Sequence, residues 1–195
     1  MKKLKQMILA GALSFGMFMV PAIADAASYT VQKGDSLWSI ANKYGVSLSS
    51  LKNVNNHSGK YIYPGQKFTI PTTVSAADKK LMAQLVHAEA KGEPYAGKVA
   101  VATVILNRVD HKEFPDTIKG VIYEKVSGHY AFSPVKNGEI NKAADAEAMK
   151  AVNEALAYRG QGQGSIYFYN PRISTSKWIE TRQVTTIIGN HRFAK

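Results

Sequence analysis

The chain has 195 residues, enough for one domain or two small ones, and its 45% hydrophobic and 20% charged residues are those of an ordinary globular protein. A formal net charge of +11 favours a polyanionic partner, whether nucleic acid, an anionic membrane or an anionic cell wall. The absence of cysteine excludes disulfides, thiolate metal sites and a cysteine nucleophile, and with the last a papain-like endopeptidase.

Residues 1–26 read as an export signal. Lys2, Lys3 and Lys5 give a positive start, Met7 to Val20 is an uncharged and mostly apolar run, and Ala24-Asp25-Ala26 offers small residues where a signal peptidase cuts. The apolar run is shorter than the roughly 20 residues a membrane span needs, so cleavage fits better than a permanent anchor. Export makes nucleic acid a poor partner for the cation that remains.

Residues 29–71 form one block. Tyr29-Thr30-Val31 alternates as a strand and Lys33-Gly34-Asp35 is a turn. Asp35 is placed to cap a helix whose apolar positions Leu37, Ile40, Ala41 and Tyr44 share a face, with Gly45 as its stop. Leu48 and Leu51 fit a second helix starting near Ser47. Tyr63-Pro64-Gly65-Gln66 is a turn, and Lys67 to Ile70 a closing strand. The small, polar residues 72–77 form a linker.

Residues 78–195 form the second block. Leu81, Met82, Leu85, Val86 and Glu89 follow helical spacing, with Lys91-Gly92 as a stop. Val99 to Val109 predicts a buried helix, although its β-branched content also allows a strand. Phe114-Pro115-Asp116-Thr117 starts a short helix through Tyr123. Residues 124–139 predict a long loop of the kind that carries function. Ala143 to Tyr158 is an Ala-rich helix. Ser165 to Tyr169 and Val184 to Ile188 predict strands joined by an irregular segment containing Trp178.

The first block resembles a LysM domain, carried by Tyr29-Thr30-Val31-Gln32-Lys33-Gly34-Asp35-Ser36-Leu37-Trp38-Ser39-Ile40-Ala41, by Leu51, Asn53 and Asn55, and by Ile62 to Pro71. The resemblance implies a shallow groove for N-acetylglucosamine-containing glycans, with Gly34, Asp35, Ser36 and Leu37 on one side and Ile62, Tyr63 and Pro64 on the other. Trp38 fits the core better than a ligand platform.

In His87-Ala88-Glu89-Ala90-Lys91-Gly92-Glu93-Pro94 two carboxylates stand four residues apart. Glu89 ends an apolar helical face. Burial there would hold it protonated to higher pH, as a donor to a glycosidic oxygen requires. On spacing alone a helix-end carboxylate bonded to backbone or to Arg108 is the more ordinary reading.

The second block resembles the SleB/CwlJ class of cell-wall hydrolases, known for spore-cortex lysis. The resemblance is carried by Leu85 to Ala102 with Asn107-Arg108, Phe114-Pro115, Gly120 to Tyr123, Tyr130 to Val135, Asn137-Gly138, Tyr169-Asn170-Pro171, Ser176-Lys177-Trp178 and Ile188 to Phe193. It implies a lytic-transglycosylase-like domain with a lysozyme-like helical core and a small sheet, so the whole chain is expected to be α+β. It also implies cleavage of the β-1,4 bond between N-acetylmuramic acid and N-acetylglucosamine, with Glu89 as the catalytic glutamate. Glu93, Phe132, Ser133, Tyr167, Tyr169, Asn170 and Lys177 are candidates to touch the substrate.

The histidines make no close metal pair such as H-E-x-x-H, so neither cofactor nor metal is expected. The expected protein is a secreted monomer associated with the cell wall or spore cortex, its partners the glycan strands and the anionic wall. An N-acetylmuramoyl-L-alanine amidase and a non-catalytic wall-binding protein are the alternatives.

Overall fold

The computed structural model describes residues 27–71 and 73–195; the export signal expected over 1–26 lies outside the described residues. Among the described residues no helix is long and apolar enough to cross a membrane.

The first block folds as βααβ. Strand β1 (Ser28–Thr30) pairs antiparallel with β2 (Lys67–Thr69), with Tyr29 opposite Phe68. Helices α1 (Leu37–Tyr44) and α2 (Leu48–Val54) lie between them. The cap of α1 falls one residue later than expected. Ser36 accepts from the Ser39 amide while the Ser39 hydroxyl accepts from the Ser36 amide, a reciprocal capping box. Asp35 is taken up elsewhere: its carboxylate accepts from Tyr29 Oη at 2.6 Å and from the Gln32 amide at 2.7 Å, which closes the turn. The Asn55 side chain ties α2 to β2 by bonding both the amide and the carbonyl of Thr69, each at 2.7 Å. Ile40, Leu51, Phe68 and Ile70 fill the small core.

In the second block α3 (Ala76–Glu89), α4 (Tyr95–Val109) and α7 (Ala146–Ala157) pack against one another. The β-branched run of α4 is helical because Val101, Val104 and Ile105 all find buried neighbours; tertiary packing outweighs local propensity. On α7 the fully buried Ala148, Ala151 and Ala155 let the neighbouring helices approach closely. Helix α5 (Ile118–Ile122) is capped by Thr117. The segment expected as a loop is partly ordered. Strands β3 (Lys125–Val126) and β4 (His129–Tyr130) form a hairpin turned by Ser127 and Gly128, both at positive φ, and α6 (Ser133–Asn137) follows. These pieces are too short to show periodicity in sequence.

The C-terminal sheet has the order β5 (Tyr167–Tyr169), β7 (His191–Ala194), β6 (Val184–Ile188), all antiparallel, with a short helix α8 (Lys177–Glu180) between β5 and β6. The central strand β7 is the one not expected from sequence, because His191-Arg192-Phe193-Ala194 has no clean alternation. Its Phe193 is buried in the helical core and joins sheet to helices.

The two blocks touch. Ala157, at the end of α7, is part of the core of the first block. Trp38 of α1 packs against Tyr158 with ring centroids 6.1 Å apart. Lys79 of α3 donates to the Tyr44 carbonyl at 3.0 Å, where the orphan acceptors at the end of α1 welcome a cation. Gly45, at φ 59°, ends α1, and a Cβ there would stand 2.5 Å from Lys79 Nζ. Gly45→Ala should therefore lose about 1–2 kcal/mol from left-handed strain, measured as a lower urea midpoint of the full chain.

Candidate active site

Glu89 is the last residue of α3, and it stands on the floor of a cavity of about 370 Å³ beside Arg108 from the last turn of α4. Phe132 and Phe168, stacked with centroids 6.3 Å apart, form one wall. His129 and Tyr130 of the β3–β4 hairpin, with Ser133 and Lys136 of α6, complete the rim. The cavity thus joins the end of one long helix, the end of another, a strand, and the segment whose composition marked it as a functional loop.

Burial raises the Glu89 carboxyl to about 7, and the nearby Arg108 charge opposes that rise only in part. Arg108 is 8% exposed. Its Nε donates to the Ile166 carbonyl at 2.7 Å, and its guanidinium lies over Phe114 and Phe132 at 5.0 Å each and over Tyr167 at 5.7 Å. Aromatic faces and the more distant Glu124 charge support this cation, with no carboxylate within ion-pair distance among the described residues. Glu89 is accordingly influenced by the charge but not neutralised in a contact pair. No second carboxylate lines the cavity among the described residues.

Of the residues singled out in sequence, the cavity brings together Glu89, Phe132 and Ser133. Phe132 is buried, so it shapes the wall. Tyr167 stands behind Arg108 and meets Trp178 edge-on at 5.2 Å. Tyr169 is buried opposite Arg192. The Asn170 side chain accepts from the Arg172 amide at 3.0 Å and shapes a turn. Lys177 is exposed and paired with Glu180 at 3.3 Å.

Glu93 lies outside the cavity. Its carboxylate accepts from the Asn190 amide at 2.9 Å and from Asn190 Nδ2 at 3.0 Å, pinning the turn between β6 and β7. Partial burial works against its ionisation, but the Asn190 hydrogen bonds and the proximity of His191 outweigh it and leave the carboxyl below its usual range.

Trp178, in the irregular segment between the two expected strands, is half exposed with Arg182 over its ring at 4.7 Å. Arg108 was legible in sequence only as a partner for Glu89; a charge at the end of an otherwise apolar helix was its signal. His129, Tyr130 and Lys136 were marked by lying in the expected functional loop, and Phe168 carried no signal.

In the first block, Val31 accepts from the Gly65 amide at 2.9 Å and donates to the Gln66 carbonyl at 2.8 Å, which sets the turn at 63–66 beside the end of β1. Asp35 and Ser36 spend their side chains on the turn and the cap, and Leu37 is buried. Ile62 packs on the core, Gly34 and Pro64 are exposed, and Tyr63 presents most of its ring to solvent, as does Tyr61, which sequence did not single out.

Residues 29–71 match the LysM domain, and residues 92–194 match the Cell Wall Hydrolase family, a match that begins just after Glu89. The spore cortex-lytic enzyme of Halalkalibacterium halodurans is 44% identical over 124 residues, covering 64% of this chain and 36% of that protein. That of Bacillus cereus is 44% identical over 126 residues, covering 65% of this chain and 47% of that protein. The chain spans less than half the length of these relatives. The catalytic domain of the germination-specific lytic transglycosylase SleB from Bacillus anthracis is a structural neighbour with a TM-score of 0.57 at 43% identity, covering 65% of this chain and 100% of that one. The expected α+β architecture, a LysM domain followed by a SleB-like helical domain with a small sheet, therefore holds.

Two expectations follow from the carboxylates. The folded state holds the Glu89 proton to about 7, whereas the ordinary value is 4.5. Stability from this group is thus fully present below pH 4.5 and lost as pH rises to about 7. The loss is on the order of 3 kcal/mol, and it should vanish in Glu89→Gln when urea unfolding of both proteins is followed across that range. Glu93→Ala should cost about 1–2 kcal/mol by freeing the Asn190 turn; a thermal melt should fall while glycan affinity stays within about twofold of the parent.

Proposed function

The chain belongs to the Cell Wall Hydrolase family, and from that premise we propose that it is a secreted peptidoglycan hydrolase, working as a lytic transglycosylase on the β-1,4 bond between N-acetylmuramic acid and N-acetylglucosamine. The observation that carries this reading is one buried carboxyl, raised to about 7, in a cavity with no second lining carboxylate among the described residues.

Ordinary glycosidases flank the bond with two carboxyl groups. One suffices when the nucleophile belongs to the sugar itself. Glu89 donates its proton to the glycosidic oxygen as the bond from that oxygen to C1 of the muramyl residue breaks. The C6 hydroxyl of the same residue then attacks C1, and the Glu89 carboxylate takes up the hydroxyl proton. The products are a 1,6-anhydromuramyl end and an N-acetylglucosamine with a free 4-hydroxyl, and the enzyme regains its starting protonation. Closing a ring within one sugar carries the orientation advantage of intramolecular reactions. A carboxyl poised near 7 serves both proton transfers. Arg108 opposes that rise, so the protonated carboxyl stays acid enough for the first transfer.

In this reading residues 1–26 export the chain, the LysM domain (29–71) holds it on the glycan through its exposed turns, and the linker expected over 72–77 is shorter, because α3 is capped by Ser75 and begins at Ala76 as the first helix of the part that cuts. Phe132 and Ser133 border the bound strand in the catalytic domain. The protein acts as a monomer on vegetative wall or spore cortex, and its cationic charge favours the anionic wall.

Glu89→Gln should lower the rate of glycan cleavage by about 10³-fold, the scale of a lost general acid, while pelleting with purified wall is retained. The parent's rate should fall as pH rises past about 7. Mass analysis of released fragments should show anhydromuramyl ends. Reducing muramic ends would mean attack by water, free stem peptides an amidase, and undiminished cleavage by Glu89→Gln would remove this residue from the chemistry.

A further inference from the structure

A second groove, of about 460 Å³, runs along the seam between the LysM domain and the catalytic domain. One side is α1, with Trp38, Asn42 and Lys43; the other is α7, with Met149, Lys150 and Asn153. It is separate from the Glu89 cavity and shares no residue with it. The seam is built rather than incidental: Ala157 sits in the LysM core, Lys79 donates to the Tyr44 carbonyl, and Gly45 leaves room for it.

The groove's charge is unbalanced. Lys43 Nζ lies 4.6 Å over the Tyr29 ring and Lys150 Nζ lies 5.0 Å over the Tyr95 ring, and neither has a carboxylate within ion-pair distance among the described residues. The acids of α7 are engaged elsewhere: Glu147 pairs with Lys98, and Glu154 accepts from Tyr95 Oη at 2.7 Å. Two cations therefore stand beside two side-chain amides, a Met and a Trp. Trp38 also keeps a buried indole N–H with no acceptor among the described residues, an unmet polar demand at the seam.

This is a surface for a ligand with sugar faces, amides and carboxylates together. We propose that the seam is a second glycan subsite, which takes peptide-substituted peptidoglycan by placing stem-peptide carboxylates on Lys43 and Lys150. The position supports it: the expected LysM groove includes Ser36 and Leu37, and the chain passes directly from them to Trp38 and Ser39. In this proposal a strand bound at the LysM turns continues along α1 into the seam. The LysM domain recognises the backbone, and the seam recognises the stems.

The proposal rests on the reading that the chain binds peptidoglycan, and the test separates the two. Full-length Glu89→Gln, in which cleavage is suppressed, is titrated with a soluble tetrasaccharide of peptidoglycan bearing stem peptides and with chitotetraose, which has no carboxylate. Adding Lys43→Gln and Lys150→Gln should weaken binding of the stemmed oligomer about fivefold, the scale of two screened ion pairs, and leave chitotetraose unchanged. Both lysines are exposed, and circular dichroism checks that the fold persists. Lys79→Met, which loosens the seam without touching the groove cations, should reduce the preference for the stemmed oligomer in the same direction. Equal affinity of the lysine variant and its parent for the stemmed oligomer would overturn the subsite, as would a parent that prefers polyglycerol phosphate to it. Failure of the parent to bind either oligosaccharide would overturn the peptidoglycan reading and the subsite together.

Discussion

The proposed chemistry depends on withholding water from one carboxyl group, Glu89. A glutamate at a helix end would normally be ionised at neutral pH. Here the helix stops inside the domain, and two phenylalanines and a hairpin enclose the space into which Glu89 projects. Desolvation lifts the group into the range where it both gives and takes a proton. The same enclosure costs stability once the pH would ionise the group in an unfolded chain.

Arg108 sets the limit of that effect. A bare cation beside Glu89 would form a contact ion pair and hold the carboxyl ionised. Instead three aromatic rings and the Ile166 carbonyl accept the guanidinium, and its charge reaches Glu89 without a direct bond. Much of the neighbouring machinery serves this geometry. Glu93 pins the β6–β7 turn, which fixes β7, and through Phe193 fixes the sheet against the helices. Phe168, in the cavity wall, is paired with Phe193 in that sheet.

The two modules are joined by more than a linker. Helix α7 contributes to the catalytic core along one side and closes the LysM core with Ala157 at its end. Such a shared helix holds the turns of the LysM domain at a defined offset from the cavity, which a free tether would not do. The cationic seam follows from that union, since its two lysines come from different modules.

Periodicity and local turn chemistry were enough to place the βααβ order and to find α3, α4 and α7, because long apolar faces and Gly stops are local signals. The resemblance to cell-wall hydrolases rested on motifs spread from Leu85 to Phe193, and not on the spacing around Glu89. What stayed hidden was decided by contacts distant in sequence. Strand β7 exists because β5 and β6 flank it, not because four residues alternate. Asp35, Glu93 and Asn170 looked like ligand-facing polar groups, yet hydrogen bonds to Tyr29, Asn190 and Arg172 occupy them. Tyr61 and Phe168 looked ordinary and became prominent only through exposure and through the cavity wall. A side chain's type and spacing are written in the chain, but its solvation and its partners arise only when α3, α4, the hairpin and the sheet come together, and those two quantities decide which carboxyl holds a proton.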